Sequence, residues 1–220
     1  MLGSGPKGRD VALALSVGAD AIDTDRIDIA LEALAWAKHE APRVPAVREA
    51  HGVARYLDED FASALTELQA YRRMTGRSDH NHLIADCLRG LGREMERIAE
   101  PIEAMLEDAS TPEDRQDEGV IVWAAALADD GQVPAARAVL RRRLQHRPAS
   151  RSEAVLASRL RVLILAADLA ERDDDPDASR RYRAQIAAAD PELRQEVVPD
   201  DDHEPRGDPQ DPTGIEPPHP

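Results

Sequence analysis

The chain has few aromatic residues and almost no cysteine. Its 220 residues include one Phe, two Trp, three Tyr and the single Cys87. One cysteine cannot form an intramolecular disulfide, which excludes a disulfide-stapled scaffold and fits a reducing compartment. The apolar residues are mainly Ala, Leu and Val, and alanine favours helices over strands. We therefore expect an all-α protein.

Net positive charge and long apolar runs are also lacking. The formal net charge is −15, and Arg outnumbers Lys 26 to 2. An acidic chain repels phosphate backbones, so nucleic acid is an unfavourable partner. No stretch reaches the roughly 20 apolar residues of a membrane span. The apolar run after Asp10 is interrupted by Ser16 and Gly18, which argues against a signal peptide. We expect a cytoplasmic protein with no membrane partner.

A 34-residue repeat organises the first part of the chain. Gly52 follows Gly18 by 34 residues, Ala64 follows Ala30 by the same step, and two pairs of leucines keep that register. A glycine inside a helix costs roughly 0.5–1 kcal/mol relative to alanine, so its recurrence points to a structural role. A small residue on one helix, with alanine twelve positions later on the next, resembles the tetratricopeptide repeat.

The repeat continues with decreasing regularity to residue 191. The paired positions are Asp86 and Ile98 in the third unit, Ala124 and Ala136 in the fourth, and Ala166 and Ala178 in the fifth. A helical hairpin cannot bury its apolar stripe alone, whereas stacked hairpins bury a continuous core. The sequence therefore predicts a right-handed α-solenoid of about five stacked helix-turn-helix, tetratricopeptide-like hairpins.

Small residues are expected where the helices cross closely. Without a large side chain at the crossing, two helix axes approach to the short end of the 8–10 Å range. The predicted packing residues are Gly18, Gly52, Ala124 and Ala166, with Ala30, Ala64, Ala136 and Ala178 as their partners. Pro101 falls inside the second helix of the third unit, where it removes a backbone hydrogen bond. We expect a break or kink near Ala99–Glu100 and a looser third unit.

Composition divides the chain into three parts. Residues 1–9 are expected to be a flexible N-terminus, and residues 10–196 to form the repeat domain. Residues 197–220 hold seven of the sixteen prolines and seven acidic residues. Such a segment buries too little apolar surface to offset its ordering entropy, so we expect a disordered, acidic, proline-rich tail.

No group of residues carries a recognisable catalytic or metal-binding pattern. His80 and His82 lie two apart, a spacing that points side chains roughly 200° apart on a helix, so they are expected to converge poorly on a metal. His51 is expected to be a partly buried structural histidine, and Cys87 a small buried hydrophobe. No nucleophile elbow or phosphate-binding glycine loop is present in the sequence. We expect a non-enzymatic protein without cofactor or metal.

Two groups of arginines are candidates for binding. The second, Arg137, Arg141, Arg142, Arg143 and Arg147, is expected to be mainly a solvated surface. The first group consists of Arg72, Arg73 and Arg77 after Tyr71, with Arg48 and Arg55 on the preceding helix. Within it, Arg48, Tyr56 and Arg72 are expected to line one groove, and Glu49 and Arg73 are further binding candidates. Arginine binds carboxylates and phosphates through its forked donors. On this hypothesis, replacing Arg48 and Arg72 with alanine weakens binding of an acidic ligand.

The segment VREAHGVARYLDEDFASALTELQAYRRMTG, followed by ADCLRGLGR, resembles a set of tetratricopeptide-like proteins of high-GC Gram-positive bacteria. The matching positions are Val47-Arg48-Glu49, Gly52, Tyr56, Asp60-Phe61, Ala64-Leu65, Glu67-Leu68 and Tyr71-Arg72-Arg73. The resemblance implies a short all-helical repeat protein of unknown cellular role, and it brings no catalytic residues with it. The acidic tail lies outside the resemblance.

The favoured function is a scaffold or adaptor that binds a protein or peptide on a concave face. The first helix of each hairpin is expected to line that face, because extended solenoid surfaces suit peptide and helix partners. The candidate residues are Tyr56, Leu83, Cys87, Ile121 and Leu163. The alternatives are a regulator that binds nucleic acid through the arginine-rich helices, which the charge opposes, and an enzyme with a polar pocket in the groove. The sequence predicts no oligomeric state.

Overall fold

The computed structural model describes residues 6–189, and within that range all regular secondary structure is α-helix. Ten helices follow one another in this range: α1 (Pro6–Asp23), α2 (Ile27–Glu40), α3 (Pro45–Leu57), α4 (Phe61–Thr75), α5 (Asn81–Gly90), α6 (Met95–Glu107), α7 (Glu113–Asp129), α8 (Val133–Gln145), α9 (Glu153–Arg172) and α10 (Pro176–Ala189). The helices form five sequential antiparallel pairs, so the predicted all-α hairpin array is confirmed.

Each hairpin closes with the same backbone turn. One residue of every turn has a left-handed backbone; these residues are Asp25, Glu59, Gly92, Gly131 and Asp174. The next amide donates to a carbonyl five residues earlier, as from Asp60 to Arg55 at 3.0 Å and from Arg93 to Leu88 at 3.0 Å. This hydrogen bond closes the helix end as in the Schellman motif. The third unit, weak in sequence, therefore shares the turn of the other four.

The hairpins stack through alternating contacts between their first and second helices. Each second helix packs on the first helix of the following hairpin, and the first helices α5, α7 and α9 pack on one another in order. One core cluster is centred on Leu68, Ile102 and Met105, and another on Leu140 and Val162. Two smaller clusters, around Leu34 and Val47, lie in the first hairpins, so apolar cores recur along the array.

The helix containing Pro101 is not interrupted. Helix α6 runs from Met95 to Glu107 with Pro101 buried in its interior, so the predicted break near Ala99–Glu100 is wrong. The Asn81 side chain on α5 donates a hydrogen bond of 2.8 Å to the Pro101 carbonyl. Burial of the ring and this tie to α5 oppose the loss of one backbone hydrogen bond.

The ends of the predicted domain fall partly outside the described residues. Helix α1 begins at Pro6, so residues 6–9 are helical although the sequence assigned them to a flexible N-terminus. The predicted tail at 197–220 lies outside residues 6–189. Among the described helices, none is both long and apolar enough to cross a membrane.

Candidate functional site: an inner cleft on the first helices

Four successive first helices line one cleft of about 330 Å³, which we call the inner cleft. Its lining residues are Tyr56 on α3, His82, Leu83 and Asp86 on α5, Asp114, Arg115, Glu118 and Val122 on α7, and Ala154, Ala157 and Arg161 on α9. Helices from four different hairpins meet around a single cleft, so this face of the array is concave. Such concave faces are the extended binding surfaces of solenoid proteins.

Tyr56 is fixed to one wall of the inner cleft. Its hydroxyl donates to Asp86 Oδ2 at 2.6 Å, and Arg89 Nε donates to the other oxygen of Asp86 at 2.9 Å. Burial and the Asp86 carboxylate raise the pKa of Tyr56 above its ordinary value, so the hydroxyl keeps its proton. The bond joins α3 to α5 and holds the tyrosine ring at the edge of the cleft.

His82 forms a buried, neutral part of the same wall. Burial, together with the nearby Arg115 charge, lowers the pKa of His82 to about 3. Its Nδ1 is buried and has no hydrogen-bond partner. A neutral imidazole has one donor and one acceptor nitrogen, and the tautomer decides which of these the buried Nδ1 is.

The His80 and His82 rings lie closer together than helical spacing predicts. His80 precedes the first helical residue and has a non-helical backbone, so the two ring centroids are 6.1 Å apart. His80 Nε2 makes a hydrogen bond of 2.7 Å with Glu49 Oε1. No group of three His, Cys, Asp or Glu within residues 6–189 is placed to hold a metal ion.

The charges of the inner cleft are largely paired. Arg161 Nε donates to Glu118 Oε1 at 2.9 Å, and Arg115 lies 3.7 Å from Asp114. Leu83 and Val122 add apolar surface between these pairs. The arrangement offers no nucleophile beside a base, and it suits a ligand with both apolar and charged groups.

Two of the five candidates for the concave face lie in the inner cleft, namely Tyr56 and Leu83. Cys87 is fully buried and Leu163 nearly so, so placing them on the binding face was wrong. Ile121 is half-buried and packs against the α7–α9 core. Helices α5 and α9 each pack against three neighbouring helices, which leaves a narrower exposed surface on them than the sequence indicated. Burial also raises the pKa of the Cys87 thiol to about 12.

The predicted groove of Arg48, Tyr56 and Arg72 does not exist. Arg48 donates to the Pro42 carbonyl at 2.8 Å and to Glu67 Oε2 at 2.7 Å. Arg72 lies on α4 beside α6, away from the inner cleft, and its neighbour Arg73 is exposed. Arg48 therefore has a structural role, and its replacement is expected to disturb packing rather than remove a ligand contact.

A buried carboxylate missing from the predicted sites joins the first two hairpins. Glu67 is 2% exposed and accepts hydrogen bonds from Lys38 at 2.5 Å and Arg48 at 2.7 Å. Burial alone would raise the pKa of Glu67, but the surrounding His51, Lys38 and Arg48 lower it to about 2. The sequence could have indicated the burial of Glu67, because Glu67 lies at helical spacing from Ala64 and Tyr71 on the buried face of α4.

The stability of the array is expected to fall in acid because of Glu67. Its folded-state pKa of about 2 lies below the ordinary value of 4.5, so its contribution is fully present above about pH 4.5. That contribution is lost as the pH falls towards 2, by at most about 1.4 kcal/mol per pH unit for one proton. Urea unfolding of wild type and Glu67→Gln between these pH values measures it. Parallel slopes for the two proteins would rule out this role of Glu67.

The arginine-rich helix α8 is partly neutralised. Arg137 pairs with Asp173 and, at 2.5 Å, with Asp175, while Arg143 is buried against Asp117. The exposed arginines of this group are Arg141, Arg142 and Arg147. Two of the five predicted cations are therefore unavailable to a phosphate backbone, which weakens the nucleic-acid alternative.

The predicted packing residues are all buried. Gly18 and Gly52 lie in the interior with Ala30, Ala64, Ala124, Ala136, Ala166 and Ala178. The groups facing the glycines differ from those expected. Gly18 faces Leu34 and Gly52 faces Leu68, rather than Ala30 and Ala64.

Comparison with known proteins supports the fold. No family model matches the chain, and no curated protein matches it. Among solved structures, it is similar to PilF of Pseudomonas aeruginosa, a tetratricopeptide-repeat protein, with 12% identity and a TM-score of 0.54. The match covers 87% of this chain and 100% of the PilF chain. This likeness shows a tetratricopeptide-like helical-repeat fold, which is typical of protein-interaction scaffolds.

Proposed function

We propose that the protein is a non-enzymatic scaffold whose inner cleft binds a peptide segment of a protein partner. The observation that carries the proposal is the single cleft formed by α3, α5, α7 and α9. A surface assembled from four repeats offers an elongated ligand several contacts at once. The scaffold is proposed to act in the cytoplasm. It is also proposed to belong to the tetratricopeptide-like proteins of high-GC Gram-positive bacteria, which the Val47–Gly76 segment resembles.

The lining of the cleft indicates the chemistry of the partner segment. Three carboxylates and two arginines line it, with His82 neutral, so the local charge is three negative against two positive. Leu83 and Val122 provide the apolar contact, and Ala154 and Ala157 leave room beside them. The expected segment carries one apolar anchor flanked by charged groups of both signs.

Filling the cleft is expected to weaken peptide binding. Peptides selected from a display library on the full chain should lose at least about tenfold in affinity for Ala157→Trp, because the indole occupies the space of the anchor. Isothermal titration with the selected peptides measures the loss. Ala138→Trp, at an exposed position on α8 outside the cleft, is the matched control and should bind like wild type.

Two results would count against the proposal. Equal affinity of wild type and Ala157→Trp would place the peptide elsewhere on the molecule. Equal losses in both tryptophan variants would indicate a general effect of an added aromatic ring. Melting temperatures of the two variants, measured in parallel, distinguish lost binding from lost folding.

A further inference from the structure

A second pocket, of about 500 Å³, lies between the end of α2 and the face of α3. We call it the α2–α3 pocket, and it is lined by Ala35, Lys38, His39, Pro42, His51 and Arg55. All four ionisable lining residues are basic, and no carboxylate lines the pocket. In a chain with 43 Asp and Glu residues against 28 Lys and Arg and 7 His, such a lining is unexpected.

Two lining residues have buried polar atoms without partners. His51 is 3% exposed, and neither of its ring nitrogens makes a hydrogen bond. Its nearest carboxylate oxygen, on Glu67, lies 3.9 Å from Nδ1, which is beyond hydrogen-bond distance. Arg55 Nε is also buried and unpartnered. Unpaired buried polar groups are rare in folded proteins and call for an explanation.

The two residues form one binding face. They are four positions apart on α3, so their side chains emerge on the same side of the helix. Tyr56, which lines the inner cleft, follows His51 by five positions and is rotated from it by roughly 140°. The α2–α3 pocket therefore opens on a different side of α3 and is separate from the inner cleft.

We propose that the α2–α3 pocket binds a carboxylate group of a ligand, with His51 and Arg55 Nε as donors and Lys38 as the nearby cation. A carboxylate fits better than a phosphate because little positive charge remains uncompensated. Lys38 already pairs with Glu67, and Arg55 Nη1 lies 3.4 Å from Asp60 and 3.9 Å from Asp58. A doubly charged phosphate would require more free cations than the pocket supplies.

Titration of the full, isotope-labelled chain with sodium acetate tests the assignment. Sodium chloride at matched ionic strength is the reference, and sodium phosphate is the competing probe. We expect saturable shifts of the His51 ring nitrogens and of the α2 and α3 amides with acetate. Arg55→Lys keeps the charge beside Asp58 and Asp60 but lacks Nε–H, so acetate affinity should fall about tenfold.

Arg73→Lys is the matched control, because Arg73 is an exposed arginine on α4. It should bind acetate like wild type. Shifts that chloride reproduces, or equal losses in Arg55→Lys and Arg73→Lys, would overturn the site. Tighter binding of phosphate than acetate would overturn the assignment to a carboxylate. A melting temperature of Arg55→Lys equal to that of wild type would show that its weaker acetate binding is not caused by unfolding.

Discussion

Asp117→Ala is expected to destabilise the protein by about 3–5 kcal/mol, because it leaves a buried arginine without its counter-ion. Asp117 is 0% exposed and Arg143 is 8% exposed. Arg143 Nε donates to Asp117 Oδ1 at 2.5 Å, and the Ser158 hydroxyl donates to Oδ2 at 3.0 Å. The carboxylate thus joins α7, α8 and α9, and its removal affects the fourth and fifth hairpins together.

Urea unfolding measures this loss, and two further variants define its cause. Glu118→Ala removes the neighbouring carboxylate of α7, whose partner Arg161 is about half exposed. That pair is expected to contribute no more than about 1 kcal/mol. Asp117→Leu combined with Arg143→Met removes both buried charges and should recover most of the stability. A double variant as unstable as Asp117→Ala would show that the loss does not come from the unpaired charge of Arg143.

The hairpin array was predictable because local signals repeat. Glycine and alanine at the 34-residue step placed the first helix pairs, and alanines twelve residues apart placed the last two. Each turn needs one residue in a left-handed conformation, for which glycine has no steric penalty. Asp25, Glu59 and Asp174 hold the same conformation without glycine, so composition alone could not locate every turn.

The buried charges were not predictable in the same way. Asp117 and Arg143 are 26 residues apart, and each belongs to a segment rich in charge. Their pairing depends on how α8 packs against α7, which helical periodicity does not specify. The basic lining of the α2–α3 pocket likewise comes from two helices whose relative position is a tertiary property.

The concave face was predicted at the level of helices but only partly at the level of residues. First helices do line the inner cleft, as the repeat indicated. Residues at neighbouring positions on a helix differ by about 100° in direction. Cys87 therefore turns into the interior while Asp86 lines the cleft. Sequence periodicity gives the apolar face, but not the edges of the arc that packing leaves exposed.

Gly52→Leu is expected to destabilise the protein by roughly 2–3 kcal/mol through overpacking between α3 and α4. A Cβ at this position would lie 2.9 Å from Leu68 Cγ and 3.2 Å from Glu67 Cβ. Leu68 is fully buried and cannot move away without disturbing the core. Leucine has better helix propensity than glycine by less than about 1 kcal/mol, so the steric effect is larger.

Thermal and urea unfolding of Gly52→Leu measure the loss, with Ala46→Leu as the matched control. Ala46 lies on the same helix and is exposed, so its replacement should change stability by no more than about 0.5 kcal/mol. Adding Leu68→Ala to Gly52→Leu frees space at the contact, so the double variant should lose less than the sum of the single losses. Strictly additive stability losses would show that the destabilisation by Gly52→Leu does not come from contact with Leu68. An unfolding midpoint equal to that of wild type would show that the close approach of α3 and α4 does not require glycine.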